Sequence, residues 1–349
     1  MKIMKFLGWF VLFALSLTVI AACDATYAGS MAMNAETGGL VMLGFAGLLV
    51  NKDTISAVFI SLKTTFNGAF STAPTTWKQI AMLVPSTTGQ NDYDWLTAML
   101  PKMRKWVGDK VIKALSAYKY TIVNDDWETT VGVKRKHIQD DNLGIYMPIA
   151  QMAGKSAAQL PDEIVADLVN GAFVNVCFDG QYFCDTDHPV GGASVSNKLT
   201  VALSCATLAA ADASLGAAQI AMMQFKDDEG RPLNSQPDTL LVPPALKSVA
   251  NVLANNDRLE DGKPNPYKDT IKVVIDARLT STTAWFLLNT SEPVKPFIYQ
   301  ERQAPEFVQQ VSEENDDVFM RAEYKFGAEA RAAGGYGFWQ LCVGSTGAG

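Results

Sequence analysis

The stretch GIYMPIAQMAGKSAAQLPDEIVADLVNGAF, residues 144–173, decides the fold because apolar residues recur in it at helical spacing. In its first part, Ile145, Ile149 and Met152 form one apolar stripe. Pro148 falls within the first turn, where its missing N–H has no helical partner to lose. The first part of the stretch therefore predicts a helix that begins near residue 145.

The second part begins at Pro161, whose fixed φ suits the first turn of a helix. Asp162 and Glu163 follow in that turn, where acidic side chains interact favourably with the helix dipole. Helical spacing then continues through Ile164, Val165, Leu168 and Ala172. The two parts together predict a long helical region that Pro161 restarts.

Residues 118–136, upstream of this region, alternate polar and apolar side chains in the pattern of an extended hairpin. The turn falls at Asn124-Asp-Asp126, and the return strand carries Val131 and Val133 on one face. A hairpin with so little apolar surface would be marginally stable alone. Two interpretations stay open: the hairpin packs on its own lobe, or it lies over a neighbouring subunit.

The remaining segments predict further helices and strands. Asp53 can cap an opening helix that ends at Gly68, with an apolar stripe of Ile55, Val58, Phe59, Leu62 and Phe66. After residue 195, helices and strands alternate, with helices at 212–225 and 245–255 and strands at 239–242, 271–279 and 283–288. This mixture predicts an α+β fold.

The composition favours an oligomer that does not read nucleic-acid sequence. Charged residues make up 19% of the chain, against ~25% in an ordinary soluble domain. Part of the surface is therefore expected to be buried against partners. The net charge is −7, whereas a sequence-reading nucleic-acid binder presents a basic face.

Residues 1–50 differ from the rest of the chain. Lys2 and Lys5 precede an apolar run that ends in Ile20-Ala-Ala-Cys23, a pattern that resembles a bacterial lipoprotein signal with Cys23 as the lipidated residue. The alternative is a translated upstream extension, so that the working protein begins near residue 48 or 49. We favour the second interpretation because the sequence that follows is typical of the start of a soluble protein.

One short stretch could hold a metal or a catalytic group. Cys184, Asp187 and His188 offer three zinc-ligand types, with Cys177 as a possible fourth ligand. The spacing C-x6-C-x3-H matches no common zinc pattern, and Asp185-Thr-Asp-His-Pro189 is also good turn chemistry. We interpret the stretch as an ordered loop whose polar side chains are hydrogen-bonded.

A mild basic cluster surrounds Trp106. It consists of Lys102, Arg104, Lys105, Lys110 and Lys113. Such a cluster could contact DNA or an acidic neighbour, or it could be a solvated face, and we favour the solvated face.

Several stretches of the chain resemble one family, the Mu-like phage major head proteins of the gpT type. They include Phe66-Asn-Gly-Ala-Phe70, Val84-Pro-Ser-Thr-Thr88, Tyr93-Asp-Trp-Leu96, Asp179-Gly-Gln-Tyr-Phe-Cys-Asp-Thr-Asp-His-Pro189 and Gly335-Tyr-Gly-Phe-Trp-Gln340. Together they span almost all of the chain from residue 51 in order. Family members begin close to a Val-Asn-Lys such as Val50-Asn-Lys52, so residues 1–50 depart from the pattern.

The resemblance implies an α+β HK97-like capsid fold and a structural rather than enzymatic role, with no cofactor. The implied parts are a signal-like leader outside the mature subunit, an N-terminal arm and helix, an extended loop, a spine helix with the peripheral domain, an axial domain, and a C-terminal return to the peripheral domain. Their expected bounds are 1–50, 51–85, 86–137, 138–199, 200–295 and 296–349.

The resemblance also implies partners. Copies of the chain would form hexamers and pentamers in an icosahedral shell, assembled in the bacterial cytoplasm around DNA that is held without sequence-specific contact. A scaffold or protease, a portal and decoration proteins would be further partners. We expect the extended loop to contact a neighbouring subunit through Tyr120, Ile122, Trp127, Val131 and Val133.

Overall fold

The computed structural model describes residues 52–97, 120–140, 145–227, 229–312 and 314–348. All of them belong to one unit that spans residues 47–349. Cys23 with the rest of the leader, and the basic cluster around Trp106, lie outside the described residues. Among the helices of the described ranges, none is long and apolar enough to cross a membrane.

The helices and strands of these ranges alternate along the chain. The helices are α1 (Lys52–Thr72), α2 (Trp77–Ile80), α3 (Arg135–Gln139), α4 (Tyr146–Asn170), α5 (Leu208–Ala211), α6 (Ala217–Gln224), α7 (Lys247–Asn255) and α8 (Asp316–Arg321). The strands are β1 (Ala81–Pro85), β2 (Gln90–Asp92), β3 (Thr121–Val123), β4 (Asp125–Lys134), β5 (His188–Val190), β6 (Ala193–Val195), β7 (Lys198–Leu199), β8 (Thr239–Val242), β9 (Lys272–Ile275), β10 (Trp285–Leu288), β11 (Phe297–Gln310), β12 (Glu323–Tyr336) and β13 (Cys342–Ser345).

Two larger sheets organise these elements. The first has the strand order β1-β11-β12-β4, and the second has the order β7-β13-β10-β8-β9. Two-stranded sheets join β2 to β3 and β5 to β6. Helices α1 and α4 pack together beside the first sheet, where Phe59 of α1 lies edge-on to Tyr324 and Phe326 of β12. The predicted α+β mixture is confirmed.

Helix α1 buries the predicted stripe. The five residues Ile55, Val58, Phe59, Leu62 and Phe66 are all at most 6% exposed. A Cβ added at Gly68 would meet nothing within 4 Å, and the helix continues past this residue to Thr72. The apolar period of this helix was therefore predicted correctly, and its end was placed too early.

Helix α4 is one continuous helix through Pro161, which is buried inside it. The prediction of a long helix is confirmed, but the predicted stripe of its first part is wrong. Ile145, just before the helix, is 57% exposed and Met152 is 70% exposed. The buried face instead consists of smaller residues around Gly154, where an added Cβ would lie 2.4 Å from the carbonyl oxygen of Phe66. The two helices approach too closely for large side chains between them.

Asp162 has a different role from the one its position suggested. It lies in the middle of α4, is 2% exposed, and its Oδ1 accepts hydrogen bonds from the backbone N–H groups of Thr76 (2.9 Å) and Trp77 (2.7 Å). No side chain within α2 caps that helix, so this carboxylate satisfies its first donors. Helix α4 thereby anchors α2, which leads directly into strand β1 of the first sheet.

We expect Asp162→Ala to lower the free energy of unfolding by about 1–3 kcal/mol, because buried N–H donors would lose their acceptor. Asp162→Asn keeps an Oδ1 acceptor and serves as the matched control, with a smaller loss. Urea denaturation of the purified subunit measures both changes. Equal losses for the two variants would contradict the capping role.

The predicted hairpin at 118–136 is wrong in its pairing. β3 pairs with β2 through Ile122 and Asn91, whereas β4 pairs with β12 through Val131 and Phe326. Asn124 separates the two strands without a reversal that pairs them; its side chain donates to Ser86 and accepts from Gln300. Both segments are strands as predicted, but each binds a partner from a different part of the chain.

Candidate functional site

The loop between α4 and β7 contains the histidine that the sequence singled out. After Gly171, the chain forms a tight loop closed by a bridge between Val176 and Tyr182, and then the short hairpin of β5 and β6. His188 opens β5 and is fully buried. The loop therefore delivers one imidazole ring into the protein interior.

Both nitrogens of His188 face hydrogen-bond acceptors. Nδ1 lies 2.7 Å from Oδ2 of Asp179, and Nε2 lies 3.1 Å from Oδ1 of Asn197. The orientation of the Asn197 amide is set by its Nδ2, which donates to the carbonyl oxygens of Phe183, Trp339 and Cys342. The imidazole therefore bridges the carboxylate of Asp179 and the amide oxygen of Asn197.

An aromatic ring completes the environment of His188. The indole of Trp339 stacks on the imidazole with ring centroids 4.0 Å apart and planes 11° apart. Stacked rings in a buried site contribute stabilisation beyond the apolar area that they bury. The pair His188–Asp179 thus ties the loop to the segment that precedes β13.

Asp179 bridges the histidine and a cysteine. Its Oδ1 accepts from the thiol of Cys177 at 3.0 Å and from the N–H of Gln181 at 3.0 Å. Burial alone raises the pKa of Asp179, but the hydrogen bonds from His188 and Cys177 outweigh it, so the pKa lies below its ordinary value. Burial, with the carboxylate beside it, raises the pKa of the Cys177 thiol. A thiol held in its protonated form is a poor nucleophile.

The ligand types of Cys177, Asp179 and His188 would suit a zinc ion, and their ligand atoms lie within 4.8 Å of one another. Each of these atoms already has a hydrogen-bonding partner within the chain. The three side chains therefore form a buried hydrogen-bonded cluster in which Asp179 joins His188 to the Cys177 thiol.

The predicted trio Cys184, Asp187 and His188 is not brought together. The Sγ of Cys184 lies 3.9 Å from the Sγ of Cys342, and Asp187 is exposed. Sequence reasoning missed Asp179 as the partner of His188, although both stand in the same quoted stretch. It also missed Asn197 and Trp339, for which spacing along the chain gives no signal.

The residues expected to contact a neighbouring subunit are buried or half-buried against other parts of this chain. Ile122 is 5% exposed and Val133 is fully buried. Tyr120, Trp127 and Val131 are half-buried; the indole N–H of Trp127 donates to the carbonyl of Ala332 at 3.0 Å. This is the first of the two interpretations, packing on the chain's own lobe, and contact with a second copy stays a prediction.

Comparison with known proteins gives a consistent assignment. The family described as Mu-like prophage major head subunit gpT matches residues 55–210, 198–279 and 276–348. The Mu-like prophage FluMu major head subunit of Haemophilus influenzae is 31% identical over 292 residues, which cover 84% of this chain and 73% of the relative. The major capsid protein of Escherichia phage Mu is 32% identical, over 85% and 74% of the two chains.

Solved structures agree with these relatives. A chain of the procapsid of bacteriophage JBD30 is 34% identical with a TM-score of 0.53, over 85% of this chain and 76% of that chain. A chain of the bacteriophage JBD30 capsid is 30% identical with a TM-score of 0.53, over 66% of this chain and 100% of that chain. The protein therefore belongs to the family of Mu-like prophage major head subunits and has the HK97-like α+β fold of phage capsid proteins.

Proposed function

We propose that copies of this chain assemble through head-to-tail contacts into hexamers and pentamers, which close an icosahedral shell around double-stranded DNA. Membership in the major head subunit family is the observation that carries this proposal. Each subunit makes several modest contacts, so that the shell is held by their number rather than by the strength of one.

The two larger sheets support a division of the subunit into two domains. We assign the first sheet with α1 and α4 to the peripheral domain, in which α4 is the spine helix. We assign the second sheet, with α6 and α7 beside it, to the axial domain near the capsomer centre. Residues 86–137 form the extended-loop region, which crosses a neighbouring copy.

Further partners follow from the role of a shell. A relative's structure is described as a capsid of bacteriophage JBD30 decorated with minor capsid protein trimers, and we propose that decoration proteins bind this shell too. A scaffold or protease and a portal complete the set, and assembly takes place in the cytoplasm. The net charge of −7 suits a container that does not grip its DNA. We propose no enzymatic step.

The test is the recovery of particles from an induced culture of the strain that carries the gene. We expect this chain to be the dominant protein of particles banded on a density gradient, with no peptides from residues 1–50. Peptide mass spectrometry of the band checks both points. Particles that lack the chain would overturn the proposal.

The same culture tests the alternative of a membrane-anchored lipoprotein. We expect Cys23→Ser to leave the yield of particles unchanged, because the proposed subunit does not use the leader. Membrane-bound protein that is lost with Cys23→Ser would support the lipoprotein instead.

A further inference from the structure

Around residues 324–330 of β12, the first sheet has one covered and one uncovered face; only nearer Ala333 is the second face covered as well, by Tyr93, Leu96 and Ile122. On β12, the side chains of Tyr324, Phe326 and Ala328 point toward α1 and α4 and are at most 4% exposed. The residues that alternate with them point to the opposite face, and Glu329 on that face is exposed. Strand β4 forms one edge of this sheet in the described part of the chain.

Three glutamates lie side by side on the uncovered face. Glu329 of β12 is the register partner of Glu306 in β11 and of Glu128 in β4, so all three stand in one row across the strands. All three are exposed. Like charges directly opposite each other destabilise a sheet. The row is therefore a local cost that the isolated subunit does not need for its fold.

Two of these glutamates accept hydrogen bonds from uncharged side chains of the same chain. The side chain of Gln303 donates to Glu306 at 2.6 Å, and the hydroxyl of Thr130 donates to Glu128 at 2.6 Å. Within the described ranges, none of the three forms an ion pair with a lysine or arginine. Two positions along β12, Arg331 pairs with Asp126 at 2.5 Å, which shows that the same face accommodates such pairs.

We propose that this acidic face receives the basic segment 102–113 of a neighbouring copy. The segment carries five lysines and arginines and a single acidic residue, Asp109. Its charge is complementary to the row of glutamates, and it belongs to the extended-loop region. The inference rests on the proposed function, since only an assembly of copies presents the segment of one subunit to the sheet of another.

The contact is directional, because each copy gives one segment and receives another. Such a heterologous contact closes into rings when the rotation between copies is correct. Complementary charges fix the register of a contact and reject wrong neighbours more than they add affinity. The acidic row would therefore select how subunits dock rather than hold the shell by itself.

Charge reversal tests the contact. One variant carries Glu128→Lys and Glu329→Lys, and a second carries Lys102→Glu, Arg104→Glu and Lys105→Glu. We expect each variant alone to lose about tenfold or more in particle yield, because like charges then meet across the contact at a cost of several kcal/mol. Plasmid-borne copies replace the chromosomal gene in induced cells, and particles are counted after gradient sedimentation.

Producing the two variants together in one cell distinguishes a contact between neighbouring copies from a contact within a single chain. If the contact joins neighbouring copies, the wild-type segment of the first variant meets the wild-type face of the second, and the reversed segment of the second meets the reversed face of the first. Opposite charges then meet at both contacts, and we expect particles to return. Rescue only when both sets of changes stand in one chain places the contact within a chain and overturns the inference. Normal yields from either variant alone overturn it as well.

Two controls separate this inference from other causes. Glu163→Lys changes an exposed glutamate on α4, on the covered side of the sheet, and we expect it to leave particle yield unchanged. The soluble charge-reversed subunits are expected to melt within a few degrees of the wild-type chain. Shells that form from the second variant but lack DNA would assign the basic segment to DNA instead. Failure of the wild-type chain to form particles would count against the proposed function itself.

Discussion

Asp179→Ala is expected to lower the free energy of unfolding by about 3 kcal/mol or more, because the buried His188 ring and the Cys177 thiol lose the acceptor they share, and each unsatisfied buried donor costs ~1–3 kcal/mol. His188 is fully buried, and its Nδ1 lies 2.7 Å from the Asp179 carboxylate. Removal of the carboxylate also takes the acceptor from the Cys177 thiol. Urea denaturation followed by tryptophan fluorescence measures the loss, since Trp339 stacks directly on the imidazole.

Asp187→Ala is the matched control for this prediction. Asp187 stands next to His188 in the sequence but is exposed, so we expect its removal to change stability by no more than about 0.5 kcal/mol. Equal losses from the two variants would contradict the assignment of Asp179 as the partner. Dialysis of the wild-type subunit against a chelator tests separately for a metal ion in the cluster. A bound ion would make the melting temperature fall after dialysis, and we expect no such fall.

The pH dependence of the same pair has a definite sign. Because the pKa of Asp179 is lowered in the folded chain, its contribution is present above the unfolded value of ~3.9 and is lost as the pH falls through the folded value. We therefore expect wild-type stability to decline in strongly acidic solution more steeply than that of Asp179→Asn. Denaturation curves between neutral and acidic pH check this difference.

The long helix shows how far apolar spacing carries a prediction. Spacing placed the helix through residues 146–170, because a helical period is a local property of the chain. It chose the wrong buried face in the first part, where large apolar side chains such as Ile145 and Met152 are exposed. The close approach of Phe66 to Gly154 requires small residues there, and that requirement comes from a second helix.

The strands at 121–134 show a different limit. Alternation correctly identified two extended segments and the inward face of β4 with Val131 and Val133. It could not identify their partners, because alternation records which side of a sheet a residue faces and not which strand lies beside it. β4 pairs with a strand about two hundred residues further along the chain.

The loop around His188 was interpreted correctly in kind but not in its contacts. The prediction of an ordered loop with hydrogen-bonded side chains matches the bonds of His188 to Asp179 and Asn197. The nearest carboxylate in sequence, Asp187, is not the one in contact. A tight loop brings residue 179 back to residue 188, and turn chemistry alone does not specify that closure.

Gly327→Ala is expected to have the second large effect, a loss of more than the ~1–3 kcal/mol typical of overpacking. A Cβ at Gly327 would lie 1.9 Å from the carbonyl oxygen of Thr129, a backbone atom of the paired strand β4. Backbone that is held in a ladder of hydrogen bonds cannot move aside as a side chain can. The variant must therefore separate β4 from β12 locally.

Because β4 carries Val133 into the core, its separation also exposes apolar surface beneath the sheet. We expect the Gly327→Ala subunit to unfold at lower urea and to show faster amide hydrogen exchange across residues 125–134 than elsewhere in the first sheet. Gly68→Ala is the matched control: nothing lies within 4 Å of its Cβ position in α1, so alanine should stabilise the helix by about 0.5–1 kcal/mol. A Gly327→Ala subunit as stable as wild type would show that β4 is not held against β12 as the register requires.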